Sequence, residues 1–335
     1  MSLSSPAVRA VLIGNAALAV TVLCWGSMVP LMHELLRRHD ALEIAVLRYA
    51  VAAPLLLAIL VSPIGGRPPA AGTIAGALPR LLVLGVLGVI VFATAYTFGI
   101  YYAGPVQASI VGSAAPVIAV ALGWLLNRDV PDRTLLLGIA VAVPGTALAL
   151  SAGNANALAA ESPWILALGV ALVLLANVAW SLYSALARRW MDGWPPVALT
   201  AATIAAGGIL FSLGYVAAGL AGLVRFPPPA PTLPDAGLLV FVAVFGICLG
   251  VVCWNLGVAR LGLSLASLYL NVTPIVAIGL SAVLGADVTA AHLAGTALVI
   301  LGIGGAQVQR LRDARAADRA ADRAADRAPQ TAAER

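Results

Sequence analysis

The chain has 335 residues, of which 61% are hydrophobic and only 10% charged, and its mean hydropathy is +1.00. A soluble domain carries about a quarter charged residues, so a soluble fold is excluded and the chain reads as an integral membrane protein. The formal charge of +5 comes from arginine alone, and seven arginines fall in the last 26 residues, a pattern that speaks to membrane topology and against nucleic-acid binding.

Spanning a hydrocarbon core takes about 20 apolar residues per helix, which allows about ten spans in a chain of this length. The apolar stretches are long runs, not the alternating segments of a barrel. After Arg9 an apolar run continues past residue 30, too long for a signal-peptide core, and is read as an uncleaved first helix. Polar, proline and glycine punctuation places helices near 11–36, 41–61, 79–102, 104–126 and 133–152. A second set is expected near 163–189, 195–224, 235–259, 262–285 and 289–308. Residues 1–10 then form an N-terminal segment, 11–152 and 163–308 two five-helix units, and 309–335 an Arg/Asp/Ala-rich tail. Interleaved aspartates cancel much of the tail's charge, which favours a solvated segment over a lipid-binding one. Cys24, Cys248 and Cys253 lie in apolar runs and read as structural thiols.

Shifting the chain by 158 residues lays its second half on its first. Gly88, Gly99, Gly104, Ala108, Ser109, Pro116 and Asp129 fall on Gly246, Gly257, Gly262, Ala266, Ser267, Pro274 and Asp287. Across residues 81–130, 13 of 50 positions are identical without a gap. With the N-terminus cytoplasmic, the inside segments hold Arg9, Arg67, Arg80, Arg128, Arg133, Arg188, Arg189, Arg260 and the tail, against Arg37, Arg38 and Arg225 outside. Both termini are therefore expected in the cytoplasm. An odd number of helices per unit makes the second unit enter from the opposite side. The fold class expected is an all-α membrane protein, ten helices in two inverted repeats around a central cavity.

Trp25 corresponds to Trp180 at an offset of 155, and Cys24-Trp25-Gly26-Ser27 stands in the first helix. Ala108-Ser109 followed by Ala115-Pro116 recurs as Ala266-Ser267 followed by Thr273-Pro274. On these features residues 11–308 resemble the EamA-type transporters of the drug/metabolite transporter superfamily. The resemblance implies a cavity bounded by helices one, three, four, six, eight and nine, with helices five and ten to one side. Family members often carry a glutamate just after helices four and nine, where this chain has Asn127-Arg128-Asp129 and Gly285-Ala286-Asp287. Within the superfamily, the size and aromatic content are most similar to bacterial exporters of amino acids, aromatic ones included.

Residue by residue, Trp25, Tyr96, Trp180, Tyr183, Trp254 and Tyr269 fall in the helices expected to bound the cavity. Rings there offer an apolar face to a cargo side chain and attract an ammonium group, or else simply pack. Ser109, Asn177 and Asn271 supply neutral hydrogen-bonding groups at comparable depth, as do Ser113, Asn255 and Ser267; packing across helices is the alternative for each. Pro116 and Pro274 each remove a backbone donor and form a matched pair of candidate hinges. Arg48, seven residues into the second helix, is paired first with Glu43 or Glu34 and second with a substrate carboxylate. Glycines 138 and 145, repeated at 295 and 302, suggest close packing of helices five and ten.

The sequence offers no deep intramembrane carboxylate for a proton-driven cationic drug pump, and no catalytic triad, metal cluster or phosphate loop. An intramembrane enzyme is therefore disfavoured, and no cofactor or metal is expected. The expectation is a monomeric, multi-pass transporter of the bacterial inner membrane, with an amino acid as small-molecule partner and the lipid bilayer around it. It exports by alternating access, as a uniporter without ATP. The alternative is an exporter of drugs or other metabolites, including a proton-coupled one.

Overall fold

A computed structural model describes residues 6–61, 71–112, 133–151, 162–261 and 269–302, with 114, 117–118, 121–122, 158, 266 and 305. It is all-helical over these residues. Helix α1 spans Pro6–Leu36 and α2 Ala41–Val61; Asp40 caps α2, its Oδ1 accepting from Leu42 N at 2.8 Å. Helix α3 runs Ala71–Gly85 and Phe92–Ala103 around wider π-type turns at Val86–Val91. It ends at Gly104, whose φ of 82° only glycine adopts readily, and Pro105 at once opens α4 (Pro105–Gly112). Helix α5 spans Arg133–Leu150, α6 Pro163–Trp190 and α7 Pro196–Leu220. Helix α8 runs Leu233–Phe241 and Gly250–Leu261 around a second π segment, Val242–Leu249. Its start is capped by Thr232, which accepts from Asp235 N and donates to Asp235 Oδ2 at 2.7 Å. Helices α9 (Thr273–Val283) and α10 (Ala290–Gly302) complete the described elements.

Six helical stretches are long and apolar enough to cross a membrane: Val11–Leu36, Ala41–Leu60, Gly72–Ala103, Pro163–Trp190, Pro196–Leu220 and Leu233–Leu261. The remaining described helices are shorter. Helix α3 starts eight residues before the expected position 79, because Pro79 lies inside the helix and does not open it. In a membrane helix neighbouring elements can absorb the hydrogen bond that proline removes.

Packing joins α3 to α6, α1 to α8, α2 to α7, α4 to α9, α1 to α9 and α4 to α6. Small residues set the closest approaches. A Cβ on Gly85 would sit 2.6 Å from the backbone N of Gly207, so α3 and α7 touch backbone to backbone. Gly145 and Gly295 face one another between α5 and α10, the contact expected for those helices, and a Cβ on Gly145 would lie 2.9 Å from Gly295 O. Where no hydrophobic drive separates helix from lipid, such contacts supply the dispersion that holds helices together. The tail, Ser113, Pro116, Ser267 and the 127–129 segment lie outside the described residues.

Candidate functional site

A cavity of about 80 Å³ lies at the centre of the helices. Trp25 and Met28 of α1, Gly88, Phe92 and Tyr96 of α3, and Trp180 of α6 form its aromatic wall. Gly88, Phe92 and Tyr96 recur every four residues, which places them on one stripe of α3. Phe92 stacks on Tyr96 with centroids 5.3 Å apart and meets Trp180 at 5.1 Å, and Trp180 meets Trp25 edge-on at 5.3 Å. Glycine 88 is needed there, since a Cβ would lie 2.7 Å from the Tyr183 ring. The other side is built by Arg48 and Tyr49 of α2, Ser109 and Gly112 of α4, Asn177 of α6, Ile204 of α7, the π segment of α8, and Leu270 with Thr273 at the start of α9.

The π turns serve this site directly. Widening the helix frees a carbonyl from its usual partner, and Trp25 Nε1 donates to Gly246 O at 2.9 Å. The equivalent Trp180 Nε1 is buried and has no partner among the described residues. Backbone breaks also converge here. Val272 N bonds Tyr269 O and Ile275 N bonds Val272 O, each at 3.0 Å, instead of the carbonyl four residues back. The same two bonds, Ala114 N to Val111 O at 3.0 Å and Val117 N to Ala114 O at 2.9 Å, recur 158 residues earlier. Pro274 therefore stands in the first turn of α9, just past a break, and does not bend the middle of a helix. Its missing donor costs nothing at that position.

Of the candidate residues, Trp25, Tyr96, Ser109, Asn177, Trp180 and Arg48 converge on the cavity. Trp254, 1% exposed, packs behind Trp25 at 5.5 Å, and Tyr183 packs behind Trp180 at 4.9 Å. Tyr269 instead donates its hydroxyl to Asn15 Oδ1 at 2.5 Å, tying the segment before α9 to α1. Asn271 is buried in the break with both amide atoms unpartnered among the described residues. Asn177 Nδ2 reaches Val111 O at 3.5 Å, and Ser109 donates to Val106 O at 2.7 Å. Phe92, Tyr49 and Met28 escaped the sequence reading, although Phe92 carries a visible signal, its spacing of four from Gly88 and Tyr96.

The charges sort differently from the pairing first expected. Glu34 lies 3.7 Å from Arg37 at the exposed end of α1. Glu43 lies 3.3 Å from His39 Nδ1, while His39 Nε2 and Arg38 both reach Asp235, at 3.3 and 2.7 Å. This cluster binds the α1–α2 turn to the start of α8. Arg48 reaches none of these acids and is 1% exposed. Its Nη1 faces Met32 Sδ at 3.0 Å, its Nη2 reaches Ala93 O at 3.4 Å, and its Nε has no partner among the described residues. The guanidinium also lies 5.2 Å from the Tyr49 ring.

Long apolar helices around a central, aromatic-walled cavity with broken helices at its edge define a polytopic membrane transporter. The chain belongs to the EamA-like transporter family, which matches residues 12–151 and again residues 167–306. The family is one of transporters, not enzymes. The uncharacterized transporter YyaM of Bacillus subtilis is 26% identical over 257 residues, 76% of this chain and 81% of the relative. An uncharacterized transporter of Archaeoglobus fulgidus is 26% identical over 85% of this chain and 95% of its own length. A probable terminal-alkyne amino-acid exporter of Streptantibioticus cattleyicolor is 27% identical over 86% of this chain and 91% of its own length. A protein of known crystal structure shares the fold, with a TM-score of 0.64 at 20% identity over 91% of this chain and 98% of that one.

Proposed function

We propose that this transporter exports amino acids, those with aromatic or other hydrophobic side chains foremost, by alternating access and as a uniporter without ATP. The carrying observation is the central cavity, in which Trp25, Phe92, Tyr96 and Trp180 face a polar side that includes Asn177 and Ser109. Rings accept an apolar side chain, and amide and hydroxyl groups replace water around a zwitterion without trapping it. Among the described residues no Asp or Glu lines the cavity, which favours uniport over proton-driven export of cationic drugs. The relative from S. cattleyicolor supports the same cargo class.

Two inverted five-helix units in a ten-span, monomeric protein of the bacterial inner membrane, both termini cytoplasmic, complete the proposal. Helix pairing supports it: exchanging α1 with α6, α3 with α8 and α4 with α9 turns the α3–α6 contact into α8–α1 and the α4–α6 contact into α9–α1. Two such units can exchange an outward opening for an inward one around the same site. The cavity's 80 Å³ is well below the roughly 300 Å³ of common ligand sites, so the aromatic wall must open for cargo to enter.

Purified protein in liposomes should release preloaded radiolabelled amino acids from a panel of Trp, Phe, Tyr, Leu, Met and Thr, at rates unchanged when ionophores collapse the proton gradient. Silence across the panel would overturn the amino-acid reading. Release that stops with the ionophore would instead establish proton coupling.

A further inference from the structure

We propose that the cavity selects its cargo by a carboxylate, gripped by the Arg48 guanidinium together with the Thr273 hydroxyl at the start of α9; the proposal rests on the amino-acid reading above and narrows it. Three observations carry it. Arg48 is 1% exposed and lines the cavity, and its only contacts among the described residues are a sulfur, a long bond to a carbonyl and a ring face. None of these neutralises a cation, and Nε meets no acceptor among the described residues. A buried arginine without an acid is a functional feature by default, because a charge out of water demands a partner.

The second observation is the broken helix. Helix α9 begins at Thr273, which lines the same cavity; Val272 before it supplies no side-chain cap, and Thr273 Oγ1 is buried with no partner among the described residues. Pro274 has no N–H and Ile275 N is bonded to Val272 O, so the donor that this helix start offers to the cavity is the Thr273 hydroxyl. Guanidinium and hydroxyl therefore offer donors to one space, in which no described carboxylate answers them. A planar carboxylate matches the fork of guanidinium N–H groups and takes two parallel bonds from it.

The third observation separates function from packing. At the offset that superposes Trp25 on Trp180, Arg48 falls on Thr203, the eighth residue of α7 as Arg48 is of α2. Thr203 is equally buried, yet it satisfies itself by donating to Leu199 O at 2.8 Å. The architecture is thus content with a neutral hydroxyl at this position, and the cation in the first unit answers something else.

The test uses the full-length protein in lipid nanodiscs and liposomes with three probes of similar ring size: L-phenylalanine, 3-phenylpropionate, which keeps only the carboxylate, and phenethylamine, which keeps only the ammonium. L-Phenylalanine and 3-phenylpropionate should compete for one site, with phenethylamine at least tenfold weaker. Arg48→Gln should lose the two carboxylates by tenfold or more, and Arg48→Lys should retain part of the binding. The probe series in the unaltered protein decides the matter even if a variant fails to fold. Binding or transport of phenethylamine equal to that of L-phenylalanine overturns the anchor and leaves amino-acid export standing. Binding of 3-phenylpropionate through Arg48, with no transport of any amino acid, supports the anchor and overturns export. No binding of either carboxylate overturns the anchor outright.

Discussion

Trp25 and Trp180 occupy equivalent places in the two halves of the chain, yet among the described residues only the Trp25 indole of the two finds a hydrogen bond, to the π-turn carbonyl of Gly246. Trp25→Phe should therefore cost about 1 kcal/mol of stability, the worth of one such bond, whereas Trp180→Phe should cost much less. Thermal unfolding in detergent compares the two, and equal shifts would show that the bond carries no weight. For transport, Trp25→Ala and Tyr96→Ala remove rings from the cavity wall and should slow amino-acid release about tenfold at normal expression, the equivalent of about 1.4 kcal/mol of lost cargo contact. Trp254 is buried behind Trp25, so Trp254→Ala should show first as lost stability, by about 3 kcal/mol or more. At this scale the residue types were legible and their partners were not. Glu43 was the natural mate for Arg48 by proximity in sequence, but the turn after α1 swings His39 onto Glu43 and Asp235. A partner is decided by which helices meet, and sequence distance does not report that.

The elements gain their function from departures from regular geometry. Two π segments, Val86–Val91 and Val242–Leu249, carry the matched Gly88 and Gly246 into the cavity wall. Two matched breaks, around Ala114 and Val272, put Gly112 and Thr273 beside it. The glycines at 88 and 246 were visible as a repeat, whereas the π turns were not, because one shifted hydrogen bond leaves hydrophobic periodicity almost unchanged. Helix-to-helix contact through glycine is testable at the same scale. Gly145→Leu and Gly295→Leu should each lower stability by about 1–3 kcal/mol through forced separation of α5 and α10. Gly76→Ala, which meets nothing within 4 Å, should be neutral or slightly stabilising. Size-exclusion profiles and thermal unfolding would check all three, and loss of the contrast would show that the α5–α10 contact is dispensable.

For the whole molecule, the proposed topology of two five-helix units with both termini in the cytoplasm predicts that C-terminal fusions give a fluorescent green fluorescent protein and an inactive alkaline phosphatase. The opposite pair of results would reverse the orientation and put the Arg48 end of α2 on the cytoplasmic side. Membrane character, the duplicated plan and the transporter family were open to reading in the amino-acid sequence, because composition, long apolar runs and a repeat at 158 residues are properties of the chain taken in order. Tertiary structure alone decided which rings line the cavity and which pack behind them, that α2 and α7 reach the centre, and that Arg48 stands there with no acid among the described residues. In a chain where almost every helix face is apolar, hydrophobicity no longer distinguishes inside from outside. The choice passes to close backbone approach at glycine and to the few polar groups that must find partners, and both are settled only when the helices meet.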